Sequence, residues 1–490
     1  MGCQKSTYEQ YVEDRTILMQ RDSALYFDAA VTLSPIEKQL DEYMHHLQDS
    51  LIQYYKATHF FPPARNFYLS KSHIEESLLF PIIQAMPKGG LLHIHAPAMG
   101  DADWVIERAV QTPELYIYWG ENEDKYTRGQ MQAYAKSRVP EGFVAAKKLA
   151  TEVSDFRAKM HDLLTFDYAI DADSVDIWKE FELIFQRLGG FVRYRPIHAD
   201  YLVHGMELLI EDNIQYVELR TRFANDLYDT LQASQPTMID DYVQILEEVE
   251  SHIHQLDDNF QFRIIHSGLR FKNRTLIEAE MEQAFAFKKR YPRWIRGFDL
   301  VAEEDAGNPT LYHVPMFLKL DSLEKAKNVQ LPLYLHDGES NWMSTANLYD
   351  AVLLDTKRIG HGFNLFRFPH LIDEVKKKDI CLEINPLSNQ ILDYVRDLRN
   401  HPASTYLRRG IACSISSDDP LIFGYNGLSY DYWSIYMAWE LDLAALKQLS
   451  KNGLKYAAME EVEKEKALRE WERRWEKFVK ESLKRINHRL

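Results

Sequence analysis

Cysteine is scarce in this chain, with three among 490 residues, at Cys3, Cys381 and Cys413. Without a CxxC pair or a dense set of thiols, neither a zinc knuckle nor a disulfide framework can organise the fold. Cys381 and Cys413 lie in apolar, strand-like runs, where a free buried thiol is the ordinary outcome. Long hydrophobic runs are lacking as well. No stretch of eighteen or more apolar residues occurs, so no transmembrane segment is expected. Positive charge is in short supply: 58 Lys and Arg face 74 Asp and Glu, a net charge of -16, and no basic cluster is interleaved with aromatics. That balance argues against nucleic acid as a partner and leaves a small molecule as the expected ligand.

What the chain does have is material for a core, with 46% hydrophobic and 12% aromatic residues. A chain of this length fits one large α/β barrel with additions, or two to three smaller domains. The N-terminal part reads as helical. Ser34-Pro35-Ile36-Glu37 supplies an N-cap, a proline at N1 and a carboxylate in the first turn, and Leu40, Tyr43, Met44, Leu47, Leu51 and Ile52 follow at helical spacing. Residues 1–80 are therefore expected to form a helical arm, suited to dimerisation or to packing over a barrel bottom. The first residues, Met1-Gly2-Cys3-Gln4-Lys5-Ser6, leave three readings open. They fit a myristoylation pattern at Gly2, the remnant of a lipoprotein signal with Cys3 as the lipidated residue, or an unmodified start. A modified Gly2 or Cys3 would imply a secreted, periplasmic or lipid-anchored protein, and an unmodified start a cytoplasmic one.

From Leu91 onward, short β-branched runs alternate with amphipathic stretches. The expected strands are Leu91–His95, Tyr216–Arg220, Phe262–His266, Arg296–Val301, Leu331–His336, Arg358–His361, Ile380–Ile384 and Ile411–Ser416. Helical patterns fall between them, at Leu276–Tyr291 and Ala346–Asp355 for example. Eight strand–helix repeats predict a parallel (β/α)8 barrel over residues 81–490, with its site at the C-terminal strand ends. The long gap after the first strand, at about 105–175, carries Tyr116, Tyr118, Tyr126 and Tyr134. It reads as a lobe inserted in the first βα loop, able to serve as a lid or binding surface. From Leu441 the chain is helical again, with Trp471, Trp475, Phe478 and Leu483 expected to pack inward.

The unusual residues gather at the expected strand ends. In Leu91-Leu92-His93-Ile94-His95, two histidines at i and i+2 point to one side of a strand, as two ligands of one metal must. The fifth strand ends His336-Asp337-Gly338-Glu339, the sixth Gly360-His361-Gly362, and the eighth Ser416-Ser417-Asp418-Asp419-Pro420. A barrel brings all of these to one mouth. His93, His95, His336 and an aspartate would make an N3O set suited to zinc, leaving Glu339 and His361 beside it as acid–base groups. The fourth strand ends Asp299-Leu300-Val301-Ala302-Glu303, with no lysine to bridge two metals, so a single ion is expected.

Taken together, Met86-Pro87-Lys88, His93-Ile94-His95, His336-Asp337-Gly338-Glu339, Arg358-Ile359-Gly360-His361-Gly362 and Ser416-Ser417-Asp418-Asp419-Pro420 resemble the adenosine deaminases. More narrowly, the chain resembles the adenosine deaminase-related growth factor, or type 2, subfamily. That closer likeness rests on Asp176-Ile177-Trp178-Lys179-Glu180-Phe181, Gly297-Phe298-Asp299-Leu300-Val301, Asn385-Pro386-Leu387-Ser388-Asn389-Gln390, Asp397-Leu398-Arg399-Asn400-His401-Pro402, Phe423-Gly424 and Gly427-Leu428-Ser429-Tyr430-Asp431. It runs from about residue 80 to the C-terminus.

The resemblance implies one zinc ion per subunit held by His93, His95, His336 and Asp418, and attack of a metal-bound hydroxide on C6 of adenosine or 2'-deoxyadenosine to give inosine and ammonia. Glu339 would protonate the ring, His361 would orient or deprotonate the water, and Asp419 would hold that water and bond N7. Trp178 would line the sugar end. The subfamily's arm implies a homodimer.

Three departures touch the substrate. Ala96 stands where the family has an aspartate that reads a sugar hydroxyl, Ala302 where it has a glycine whose N–H meets the purine, and Asp337 where it has a small residue. Asp101, Asp103 or Glu303 would have to compensate for Ala96. Otherwise the substrate is a different modified aminopurine nucleoside. A non-catalytic, growth-factor-like binding protein is the alternative from another class. The cysteine pair of the subfamily's inserted lobe is missing, which counts against receptor binding through it.

Overall fold

The computed structural model describes residues 7–122, 124–166, 176–222, 227–230 and 238–487. The lipidation readings at Gly2 and Cys3, and part of the inserted lobe, fall outside these residues.

Eight parallel strands carry the fold: β1 (Gly89–His95), β2 (Ile214–Thr221), β3 (Gln261–Leu269), β4 (Ile295–Val301), β5 (Tyr334–Asp337), β6 (Arg358–His361), β7 (Cys381–Ile384) and β8 (Cys413–Ile415). They pair in sequence order as two four-stranded sheets, β1 to β4 and β5 to β8. One parallel bridge joins the sheets at each seam, Phe298 with Leu333 and Ile94 with Asp418. The result is the expected barrel, with helices between strands. Every residue of β5 to β8 is buried, as strands covered on both faces must be. All eight expected strands are present, and the helical patterns appear as Arg274–Arg290 and Asn347–Leu353.

The bottom of the barrel is closed by the C-terminal helix Leu443–Lys455, whose Gly453 carbonyl lies against Gly90 at the start of β1. A side chain at Gly90 would collide with that backbone, so the Gly89-Gly90 pair is a packing requirement. The long helix Glu461–Asn487 follows and buries Trp471, Trp475 and Phe478.

The arm forms as its sequence dictates. Helix Pro35–Thr58 opens with a capping box, the Glu37 carboxylate accepting from the Ser34 N–H at 2.7 Å. Glu37 then accepts from Trp475 Nε1 at 2.7 Å, tying the arm to the C-terminal helix. The preceding helix Tyr8–Ser23 buries none of its side chains, and Tyr8, Leu18 and Met19 are exposed. The inserted lobe begins with helix Ala102–Gln111 and a three-stranded antiparallel sheet, in which Leu115–Tyr118 lies between Met131–Ala133 and Phe143–Ala145. Tyr118, Tyr126, Tyr134 and Phe143 pack against one another there in tilted and edge-on pairs, ring centroids 4.9–5.5 Å apart, so these tyrosines hold the lobe's own sheet together. The lobe leads into helix Ile177–Val192, one wall of the barrel mouth.

Candidate active site

Four strands end in backbone turned to the left-handed side. Ala302 after β4 has φ 83°, Gly338 after β5 has φ 85°, His361 at the end of β6 has φ 62°, and Asp418 beyond β8 has φ 63°. Only glycine takes such angles freely, and an ordinary residue pays about 1–2 kcal/mol. Strain of this kind concentrates at functional sites. Here it aims His361 and Asp418 into the mouth, and Ala302 keeps a conformation that suits glycine.

The side chains converge as expected. Asp418 Oδ1 lies 3.2 Å from both His93 Nε2 and His95 Nε2, and His336 Nε2 lies 3.3 Å from His95 Nε2. His361 Nε2 is 3.8 Å from Asp418 Oδ2, so this imidazole joins the cluster as closely as some of the expected ligands.

Neighbours set the tautomers. His93 Nδ1 meets Glu383 Oε2 at 2.9 Å and His336 Nδ1 meets Asp299 Oδ2 at 2.7 Å, which leaves both Nε2 lone pairs facing inward. His93 Nε2 is buried without a hydrogen-bond partner. Burial first, then neighbouring positive groups, pushes the His336 pKa well below the ordinary imidazole value; burial lowers His361 likewise, against the pull of Asp418. Asp418 stays well below the carboxylate range: burial opposes this, but bonds with His93 and His95 prevail. Neutral imidazoles beside an ionised carboxylate, one nitrogen orphaned, fit a divalent cation.

Beneath the cluster, charged residues interlock inside the barrel. Arg220 donates to Asp299 at 2.8 Å and to Glu383 at 2.5 Å, and Arg358 donates to Glu383 at 2.6 Å and also to Glu218. Motif spacing does not single these residues out for a role. The signal was a charge inside an otherwise apolar strand, such as Glu383 in Cys381–Ile384. Asn385 and Asn389 bracket His361, each amide 3.3 Å from Nδ1, and Ser388 Oγ donates to Asp418 Oδ2 at 2.7 Å.

Above the cluster lies a cavity of about 510 Å³ lined by His95, Ala96, Trp178, Ala302, Glu339 and Asp419 among others. Glu339 and Asp419 are buried, and each keeps one oxygen without a hydrogen bond, Oε1 and Oδ1. Burial and the nearby Asp418 charge raise both pKa values well above the ordinary range, which favours the protonated carboxyl at each. Glu304 fixes the Glu339 loop, accepting from the Gly338 and Glu339 N–H groups at 3.0 and 2.6 Å. Trp178 Nε1 donates to Tyr394 OH at 3.0 Å, and Tyr394 donates to the Glu339 carbonyl at 3.1 Å.

The departures resolve differently from one another. Asp337 does not line the cavity; it accepts from Thr310 Oγ1 at 2.6 Å and lies 3.6 Å from Arg270, fully buried. It is structural because its side chain alternates to the opposite side from His336. Asp101 caps helix Ala102–Gln111 and contacts His204. Neither Asp101, Asp103 nor Glu303 lines the cavity, so none replaces a carboxylate at Ala96.

The family model for adenosine deaminase matches residues 202–472, and that for the adenosine/AMP deaminase N-terminal region matches residues 1–83. The chain belongs to the adenosine deaminase family. It is 33% identical to an adenosine deaminase 2 of Sus scrofa over 96% of this chain and 94% of the relative. Against an adenosine deaminase 2 of Dictyostelium discoideum it is 34% identical, covering 96% and 87%. Among solved structures, the N6-methyl-AMP deaminase of Arabidopsis thaliana superposes with a TM-score of 0.57 at 16% identity, covering 80% of this chain and 98% of that one. A zinc-bound amidohydrolase of Burkhoderia ambifaria gives 0.58 at 16%, covering 82% and 94%. These structures share the barrel. Adenosine deaminases are metal-dependent hydrolytic enzymes, and among the described residues the histidine–aspartate cluster of this member could hold a metal ion.

Proposed function

We propose that this enzyme hydrolytically deaminates adenosine or 2'-deoxyadenosine, releasing ammonia and the inosine nucleoside, with one zinc ion per subunit. The observation that carries the reading is the meeting, in one cavity, of His95, His336, His361 and Asp418 with the Glu339 and Asp419 oxygens that lack a hydrogen bond, beside the inward Nε2 of buried His93. The names of the curated relatives support it.

His93, His95, His336 and Asp418 would hold the ion, which supplies Lewis acidity and lowers the pKa of water towards neutrality. The residues of the chain do the rest. Glu339, protonated by its burial, donates to N1 of the purine and makes C6 electrophilic. His361, its pKa pushed down by burial, lies 3.4 Å from Glu339 and 3.8 Å from Asp418, placed to take the proton of the attacking water. Asp419 donates to N7 and positions that water. Trp178, braced through Tyr394, walls the sugar end.

Ala96, without a compensating carboxylate from Asp101, Asp103 or Glu303, favours a second reading in which the substrate is a differently modified aminopurine nucleoside. The deciding experiment is a panel of adenine and modified aminopurine nucleosides given to zinc-loaded protein, followed by the ultraviolet change on loss of the 6-amino group. Turnover of adenosine or deoxyadenosine is expected. Turnover of modified aminopurines alone selects the second reading, and no turnover of any overturns both.

We further assign the helical arm of residues 1–80 to a homodimer interface, supported by the unburied helix Tyr8–Ser23. Sedimentation should give twice the 57.6 kDa chain mass; a monomer would refute the assignment.

A further inference from the structure

Glu339 sits on a turn that begins at a left-handed glycine, Gly338, and glycine leaves a backbone free to swing unless something holds it. The holding groups come from the loop after β4. Glu304 accepts from both the Gly338 and the Glu339 N–H, and beside it Asp305 accepts from Ser340 Oγ at 2.7 Å. From the other side Tyr394 donates to the Glu339 carbonyl. The backbone of Glu339 is therefore bonded at both its polar groups, while Oε1 of its side chain makes no hydrogen bond. Glu304 is in turn held by bonds that lead back to the same turn. Asn347 Nδ2 donates to Glu304 Oε1 at 2.8 Å, and Asn347 Oδ1 accepts from the Thr310 N–H at 3.0 Å. Thr310 Oγ1 donates to Asp337 Oδ1 at 2.6 Å, and Asp337 precedes Gly338 in the chain, which closes a ring. All four side chains are buried, where a hydrogen bond is strong and costly to leave unmade. Arg270, 3.6 Å from Asp337, supplies the positive charge beside them.

We propose that Glu304, Asn347, Thr310 and Asp337 are positioning residues, a closed ring that sets where the Glu339 carboxyl meets the purine. The inference rests on the deaminase reading above, in which Glu339 donates to the ring nitrogen, and deepens it. None of the four lines the cavity, so they act through Glu339 and not on the substrate. A proton donor must lie within hydrogen-bond reach of the atom it serves, and a displacement of about 1 Å can cost about 100-fold in rate. A small side chain at 337 would leave the ring open at Thr310. Asp337 thus acts on the chemistry from the side of β5 that faces away from it.

The test opens the ring in the wild type and in Glu339→Gln, and measures kcat and KM for adenosine together with bound zinc. Thr310→Val exchanges a hydroxyl for a methyl and leaves every charge in place. It should lower kcat by about 5- to 50-fold, with KM and zinc content within about twofold of wild type. Thr310→Ser keeps the donor and should match wild type, and Asp337→Asn keeps an acceptor and should fall between. Glu304→Gln turns an amide towards the Gly338 and Glu339 N–H groups and should lose about 10- to 100-fold. In the Glu339→Gln background the same substitutions should cost nothing more, because the group they position is gone. An equal loss in both backgrounds, or a kcat untouched by Thr310→Val and Glu304→Gln, would overturn the ring's role while an active wild type leaves the deaminase reading standing. A wild type inactive on every adenine nucleoside overturns that reading and this inference with it.

Discussion

Two buried, charge-rich layers lie one above the other in this barrel, and they differ in how completely they are paired. In the lower layer, Glu218, Arg220, Asp299, Arg358 and Glu383 all make short bonds to one another or to the backbone. In the upper layer, His93 Nε2, Glu339 Oε1 and Asp419 Oδ1 make no hydrogen bond, and the first two have only the ion-pair contacts of Asp418 at 3.2 Å and His361 at 3.4 Å. Folding leaves few buried polar atoms unpaired. The unpaired layer is reserved for what binds, and the paired layer holds it in place. Burial and charge look the same in both; hydrogen bonding is what separates these two layers.

Substitutions in the two layers should therefore fail in different ways. The largest effect is expected from Glu339→Gln, which keeps shape but removes the ring proton donor. Its kcat should fall by about 10²–10⁴-fold with stability unchanged; full activity would refute the role. Glu383→Gln strikes the paired layer instead. Freeing Arg220 and Arg358 inside the barrel should cost about 3–5 kcal/mol in a denaturant titration, and loosening His93 should weaken metal affinity by about 10- to 100-fold. An intact metal content and midpoint would mean that the lower layer does not hold the upper.

Ala96→Asp tests the cavity wall. Where a neighbouring side chain already reads the sugar, an added carboxylate should leave kcat/KM for adenosine flat or lower. A rise of about tenfold or more, the 1.4 kcal/mol of one new hydrogen bond, would show that the sugar is under-read in the native enzyme. The smallest effect is expected from Ala302→Gly: relief of the left-handed strain should raise stability by no more than about 1 kcal/mol, and a loss of that size would show that the alanine is not strained.

Much of this molecule could be read before folding. The strands were legible because each is a short apolar run between turn residues, and His93 and His95 because a period of two places them on one side. The lower layer was not. A single Glu383 or Arg358 in an apolar strand reads as an interruption, since its partner sits on a strand 25 or more residues away and only the closed barrel brings them together. That Glu182 lines the cavity was hidden for another reason. In Trp178-Lys179-Glu180-Phe181-Glu182 a carboxylate between aromatics has the look of a solvated helix face, and which face meets solvent is decided by the barrel. Asp337 misled in the opposite sense, because adjacency to a ligand in sequence means opposite sides of a strand in space.

The lower layer also bears on how the enzyme meets its medium. Its side chains are at most 1% exposed, well out of reach of dissolved ions, which screen surface charges over about 8 Å at physiological ionic strength but act far less on buried pairs. The outer surface of this chain, whose net charge is -16 in all, feels every change in salt. Ionic strength should thus alter how the molecule encounters charged neighbours while leaving the placement of His93 and His336 untouched.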